Sequence, residues 1–310
     1  MHPAFSILLF TTLAGAGQGL VAVLSLALLA DVAMPREFVM RALALGALLL
    51  AGGLAASFFH LGHKMRAWRA VLMWRTSWMS REVIVLPAFI ALVLGWLACL
   101  SQGTPLNTPL LPLLTLAGAV LLWYCTAMIY ACLRFIQEWA HALTPVNFIL
   151  IGLASGSTLA CALAVLADQA TVLRALAPLA LGFTLAAWGT RVLSLRRNAA
   201  LKPRSTLQSA TGLQQPHVVQ KSMGMSAGSF NTREFFHGAS QLAVRQMRWL
   251  FLLALFAIPA LLQALALLGM VGPQAWLVAV LLQAPGLLAE RWFFFAQARH
   301  PQNLYYQTVS

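Results

Sequence analysis

Three side chains with acid–base chemistry stand near one another in the sequence: His60, Arg66 and Glu82. His60 ends one long apolar segment and Glu82 opens the next, so all three fall at the same end of two neighbouring predicted helices. Reducing a quinone consumes two protons, so a quinone site needs a hydrogen-bonding group that titrates near neutrality and a nearby carboxylate. The cluster meets that requirement. The alternative is that His60 and Glu82 only cap helix ends and pair with interfacial arginines.

Cofactors that need clustered ligands are not supported by the remaining reactive residues. The four cysteines form no Cys-x-x-Cys pair and lie inside apolar segments, whereas iron–sulfur clusters and structural zinc need several thiolates brought together. The seven histidines fall in the termini, in connections or at segment edges. A membrane-embedded haem with two histidine ligands needs them inside the helices. We therefore expect no bound metal and no covalently attached cofactor.

The elements that must position the cluster are long apolar segments. Of 310 residues, 61% are hydrophobic and 9% charged, against about 25% charged in soluble domains. A helix needs about 20 mostly apolar residues to cross a hydrocarbon layer of about 30 Å. Such segments occur at residues 5–30, 39–59, 83–100, 110–133, 148–167, 175–193, 250–270 and 276–296. The sequence predicts an all-α polytopic membrane protein, a bundle of about eight transmembrane helices forming one domain over residues 1–310.

Two connections are much longer than the others, at about 60–82 and 194–249. The first interleaves arginine with tryptophan, which is typical of a membrane interface. The second begins like a flexible linker. Its later part, residues 229–238, mixes aromatic with charged residues, as a docking surface for a partner does.

The net charge of +13 is better explained by membrane topology than by nucleic-acid binding. With eight spans, both termini and both long connections share one side. That side holds all of the 20 lysine and arginine residues except Arg36, Arg41 and Arg174. Basic residues are retained on the cytoplasmic side during membrane insertion. We therefore expect both termini in the cytoplasm.

Charged side chains in the middle of a spanning helix usually mark ion or proton pathways. The sequence places Glu82, Glu138 and Glu290 at helix ends, so none is expected there. This opposes an ion-coupled solute transporter, which the helix count alone would allow. A purely structural tether for soluble subunits stays open as a further alternative.

Short motifs give the chain a resemblance to a known family. They are His60-Leu61-Gly62, the pair Arg66-Ala67 that follows it, and Ser80-x-Glu82 at the start of the third helix. With eight spans, this pattern resembles the membrane-anchor subunits of dimethyl sulfoxide reductase-type complexes. Residues 1–6, 74–82 and 229–237 are most similar, within that family, to the anchors of sulfite dehydrogenases that face the cytoplasm.

The resemblance implies a subunit without redox cofactors, located in the bacterial inner membrane. It exchanges electrons between menaquinone or ubiquinone and an iron–sulfur subunit, which serves a molybdopterin catalytic subunit. It implies quinone-binding roles for His60, Gly62, Arg66 and Glu82. Sulfite oxidation is the expected reaction of the complex, with reduction of a sulfoxide as the alternative. The chain departs from the family pattern in having no tyrosine within residues 83–101.

Overall fold

The computed structural model describes residues 4–59, 61, 63–106, 108–222 and 238–304, and over these residues the regular structure is helical throughout. Eight helices among them are long and apolar enough to cross a membrane. They are α1 Phe5–Leu29, α2 Arg36–Phe58, α3 Trp78–Ser101, α4 Leu110–Ala131, α5 Leu143–Leu166, α6 Ala170–Ala199, α7 Gln241–Leu267 and α8 Ala275–Ala296. The predicted all-α bundle of eight spanning helices is confirmed.

Four helices, α3, α5, α6 and α7, begin five or more residues before the apolar segments that predicted them. α3 begins at Trp78 rather than at residue 83, and α7 begins at Gln241 rather than at residue 250. The side chains of Ser77 and Ser240 cap these two helices by accepting hydrogen bonds from N–H groups of the first turn. Such caps satisfy donors that have no partner inside the helix. Polar residues at the edge of the bundle are therefore helical as well.

The centre of the bundle is formed by α1 and α5. α1 packs against α2, α4, α5 and α8, and α5 packs against α1, α4, α6 and α8. In each of these two helices 67% of the most apolar stretch is buried inside the protein, compared with 28% in α3. Most faces of the two central helices therefore meet other helices.

Small residues allow the central helices to approach closely. A Cβ atom added to Gly156 of α5 would lie 2.1 Å from the carbonyl carbon of Gly19 in α1. One added to Gly19 would lie 1.8 Å from the carbonyl oxygen of Gly152. Because lipid is as apolar as the side chains, spanning helices associate through close packing and interhelical hydrogen bonds. Glycine at these positions permits the close packing.

Buried polar side chains form hydrogen bonds between the helices. Gln18 Nε2 of α1 donates to the carbonyl oxygen of Ala119 in α4 at 2.6 Å. The hydroxyls of Ser25 in α1 and Thr115 in α4 lie 2.8 Å apart and share a hydrogen bond. These contacts fix α4 against the central pair.

α7 contains an irregular turn, and a side chain of α8 donates a hydrogen bond to a backbone carbonyl within it. Residues Leu252–Ala257 form a π-helical turn just before Pro259. Proline has no N–H to donate to the carbonyl four residues earlier, which belongs to Leu255. Gln283 Nε2 of α8 donates to this carbonyl at 3.3 Å. A Cβ atom on Gly286 of α8 would lie 2.6 Å from Leu255 N, so the two backbones are in contact here.

The connections lie alternately at the two ends of the bundle. At one end, Arg36 of α2 donates to the carbonyl oxygens of Leu100 at 2.8 Å and Thr104 at 2.9 Å. At the other end, Arg197 of α6 donates to the carbonyl oxygen of Gln137, between α4 and α5, at 3.1 Å. We call this second end the basic end. It holds the start of α1, the end of α8 and the α2–α3, α4–α5 and α6–α7 connections, where most of the lysines and arginines fall.

The connection between α2 and α3 contains a 3₁₀ helix, Lys64–Met73, that packs against α3. Just after it, the guanidinium carbon of Arg81 lies 4.1 Å from the ring centre of Trp78. Stacked cation and indole pairs of this kind suit a membrane interface, and the interfacial role stays a prediction. The segment that suggested a docking surface, residues 229–238, lies outside the described residues except for Gly238.

The variant Gly156→Ala is expected to destabilise the bundle by about 2–3 kcal/mol, because overpacking forces the backbones of α1 and α5 apart. Gly182→Ala in α6 is the matched control, since a Cβ atom there meets nothing within 4 Å. The measurement is the free energy of unfolding of the purified protein, titrated with a denaturing detergent. Equal free energies of unfolding for the two variants would show that α1 and α5 can move apart without loss of stability.

Candidate functional site

Glu82 is buried inside the bundle near the basic end. It lies in the second turn of α3, and only 7% of the residue is exposed. Its Oε1 atom accepts a hydrogen bond from Thr126 Oγ1, in the last part of α4. The sequence placed this carboxyl at the start of a helix. Because α3 begins earlier than predicted, the side chain instead lies within the helix and contacts α4.

Of the other predicted quinone-binding residues, the structure describes only Arg66. This residue lies in the 3₁₀ helix with its side chain exposed. Within the described ranges no ion pair joins it to Glu82. His60 and Gly62 lie outside the described residues. The structure therefore places Glu82 in a defined polar environment, and the grouping of all four residues stays a prediction.

A narrow cleft lies beside Thr126, between α1, α3, α4, α5 and α8. Its wall is mostly apolar, and its polar lining includes Thr12, Gln18, Thr126, Ser155 and Arg291. We call it the inner cleft. Its volume of about 20 Å³ is room for about one water molecule. Because Thr126 lines this cleft and also bonds to the α3 carboxyl, a single side chain separates that carboxyl from the cleft.

Three charged side chains are buried together in α6 and α8. Arg191 Nε lies 2.8 Å from Glu290 Oε1, and Arg291 Nε lies 3.2 Å from Glu290 Oε2. The exposed fractions of Arg191, Glu290 and Arg291 are 2%, 1% and 4%. The expectation that Glu290 sits at a helix end and that the helices hold no interior charge is wrong.

The error arose because the sequence prediction judged the cost of burying each charged residue separately, without a partner from another helix. Opposite charges from two helices neutralise one another once the helices have packed. The cluster could have been predicted from the sequence by looking for an acidic and a basic residue in two different apolar segments. Arg191 lies in one such segment and Glu290 lies in another.

Arg291 connects this charge cluster to the inner cleft, which it lines. Its guanidinium carbon lies 4.0 Å from the ring centre of Phe148, an arrangement that stabilises a buried cation. The ring of Tyr130 of α4 is stacked on that of Phe148, with the two ring centres 5.9 Å apart. Its ring packs among Trp139, Phe148, Phe294 and Phe295. Sequence reasoning missed Tyr130 because these rings come from separate elements.

The chemistry available from these groups is proton donation and acceptance. In the part of the chain that the structure describes, no group of three or more His, Cys, Asp or Glu side chains is placed to hold a metal ion. The side chains that do come together are a carboxyl with a hydroxyl at Glu82 and Thr126, and an ion-pair cluster on the far side of the inner cleft.

Comparison with known proteins adds two findings. The family model of the DMSO reductase anchor subunit (DmsC) matches residues 1–223. The chain is also 47% identical to a sulfite dehydrogenase subunit from Allochromatium vinosum, over 328 aligned positions that cover the full length of both proteins. The family match includes Glu82 and Thr126, and the full-length match also includes the α8 residues Glu290 and Arg291.

The variant Glu290→Gln is expected to lower the free energy of unfolding by about 3–5 kcal/mol, because it leaves two buried guanidinium groups without a counter-charge. Glu37→Gln is the matched control. It breaks the exposed Glu37–Arg41 pair, which is worth no more than about 0.5 kcal/mol. Detergent-titrated unfolding of both variants is the measurement. Similar losses would mean that the buried cluster contributes no more than a surface pair.

Proposed function

Because the chain belongs to the family of DMSO reductase anchor subunits, we propose that it is the membrane anchor of a molybdopterin oxidoreductase complex in the bacterial inner membrane. In this role it exchanges electrons between the quinone pool and an iron–sulfur subunit, which serves a molybdopterin catalytic subunit. Menaquinone or ubiquinone is then an exchangeable substrate rather than a resident cofactor. The eight helices supply the membrane-embedded part of the complex.

Sulfite oxidation is the reaction that we propose for the whole complex. It is supported by the 47% identity, over the full length, to a protein described as a subunit of a sulfite dehydrogenase. Oxidising sulfite to sulfate releases two electrons, which convert one quinone to quinol with the uptake of two protons. Quinol-driven reduction of a sulfoxide is the alternative and uses the same anchor with the opposite direction of electron flow.

The observation that carries the quinone assignment is the position of Glu82. A buried carboxyl that is hydrogen-bonded to Thr126 near the basic end is placed to give a proton to a ring oxygen or to take one from it. The inner cleft is too small for a quinone ring. We therefore place the ring on the side of Glu82 toward the connection that carries His60, Gly62 and Arg66.

We propose that the basic end faces the cytoplasm and that the soluble subunits bind there. Its excess of lysine and arginine supports this orientation, because such residues are retained on the cytoplasmic side. Electrons could then pass between an iron–sulfur subunit bound at this end and a quinone held near Glu82 without crossing the membrane.

Solute transport is the second candidate, and the buried Arg191–Glu290–Arg291 cluster is the observation in its favour. Interior charges of this kind mark ion and proton pathways in many membrane proteins, so their presence removes the sequence argument against a transporter. Family membership supports the anchor. Uptake of a solute into liposomes by this chain alone would favour transport.

The variant Glu82→Gln is expected to lower quinone-linked turnover of the purified complex at least tenfold, because the amide cannot exchange a proton with the ring. Glu37→Gln, which alters an exposed carboxylate at the opposite end, is the control. Each complex is assayed with a quinone and with a soluble dye that takes electrons from the iron–sulfur subunit. Unchanged quinone turnover in Glu82→Gln would exclude this carboxyl from the reaction.

The chain is expected to co-purify with an iron–sulfur subunit and a molybdopterin subunit when it is extracted in a mild detergent. The isolated complex should reduce quinone when sulfite is added. The measurement is the quinone absorbance with sulfite, followed by a parallel assay of quinol oxidation with a sulfoxide. Activity in the second assay alone would reverse the proposed direction of electron flow.

A further inference from the structure

A second cleft, with several polar residues in its lining, lies beside the buried charge cluster. Its lining includes Glu138, Asn147, Ser194 and Gln297, together with all three residues of the cluster. We call it the outer cleft, and its volume is about 10 Å³. Glu138, at its edge, lies in the α4–α5 connection at the basic end and accepts a hydrogen bond from the backbone N–H of Arg299 at 3.4 Å.

Arg291 lines both clefts and therefore connects them. The groups follow one another in the order Glu82, Thr126, the inner cleft, Arg291, the outer cleft and Glu138. This row passes through the interior of the bundle and ends at its basic surface.

Buried polar atoms without a hydrogen-bonding partner are concentrated on the two clefts. Trp123 Nε1 and Thr12 Oγ1 belong to residues that line the inner cleft, and Asn147 Oδ1 and Arg191 Nη2 belong to residues that line the outer one. Trp123, Asn147 and Arg191 are each more than nine-tenths buried. Leaving such groups unsatisfied is costly, and ordered water is the usual partner when a polar cavity has room for it. Each cleft has space for about one water molecule.

The charges along the row divide it into a fixed ion-pair cluster and two carboxyls that can exchange protons. Glu290 is paired with both guanidinium groups, those of Arg191 and Arg291. Glu82 and Glu138 lie at the two ends of the row, outside these ion pairs. Arginine itself stays protonated, so its part is to orient water and to balance charge.

We infer that the two clefts hold water and form a proton route between Glu82 and the basic surface at Glu138. The inference rests on the proposed quinone reaction. Each quinone takes two electrons from the iron–sulfur subunit and two protons to become quinol. Glu82 gives one proton to the ring and regains one through the hydroxyl of Thr126 and the cleft water, and a second round of the same two transfers supplies the other proton. Glu138 exchanges protons with bulk water, and quinol oxidation reverses every step.

Two variants of the assembled complex test the route. Glu138→Gln keeps an acceptor oxygen for the Arg299 N–H but carries no exchangeable acid. Asn147→Leu places hydrocarbon at the outer cleft with little change in side-chain size. Glu37→Gln is the control. Turnover is measured from sulfite to quinone and, separately, from sulfite to the soluble dye.

Both variants should lower quinone turnover about fivefold or more, with an unchanged KM for quinone, normal dye turnover and a larger solvent deuterium isotope effect. A small weak acid such as acetate, which carries protons to the surface end, should restore Glu138→Gln but not Asn147→Leu. A merely structural role would lower dye turnover and yield together and would show no rescue.

Wild-type quinone turnover in both variants, with a normal isotope effect, would overturn the route and leave the quinone reaction standing. A wild-type complex that reduces the dye but no quinone would overturn the quinone reaction and the route together.

Discussion

The close contact between α1 and α5 is the constraint on which the rest of the bundle depends. At Gly19 and Gly156 the two backbones touch, with no space for a side chain between them. The ring of Trp123 from α4 occupies the space that a Cβ atom at Gly152 would take. Gly152 and Ser155 also line the inner cleft. The same surface of α5 therefore holds the helices together and forms one wall of the candidate site.

Packing among apolar residues gives little preference for one helix pair over another in a membrane, so polar contacts select the arrangement. Gln18, Gln263 and Gln283 each donate a hydrogen bond to a different helix. The amide of Gln283 contacts a carbonyl that Pro259 leaves without its usual donor. The unpartnered polar atoms on the two clefts stand out against this pattern, since much of the buried polar surface elsewhere is satisfied by the protein itself.

The sequence predicted the number of helices well because a membrane-spanning helix requires a minimum number of apolar residues. Each such segment can be recognised without knowing how the helices pack. It misplaced helix starts, since a capping residue such as Ser77 extends a helix into polar sequence. That error hid the burial of Glu82. The charge cluster was missed for a different reason. Arg191 and Glu290 are about a hundred positions apart, and only the folded bundle shows that the two side chains form an ion pair.

A tether would have little use for such a cluster. Replacing a buried ion pair with apolar residues of similar size is often neutral or stabilising, and the rings of Phe148, Phe251 and Phe293 already lie against the two guanidinium groups. Holding Arg191, Glu290 and Arg291 inside the bundle therefore adds little to folding that leucine or methionine could not supply. What apolar residues could not supply is a charged, hydrogen-bonding boundary between the two clefts, one next to Thr126 and the other next to Glu138. The placement of the charges thus favours a subunit that handles protons over one that only holds its partners at the membrane.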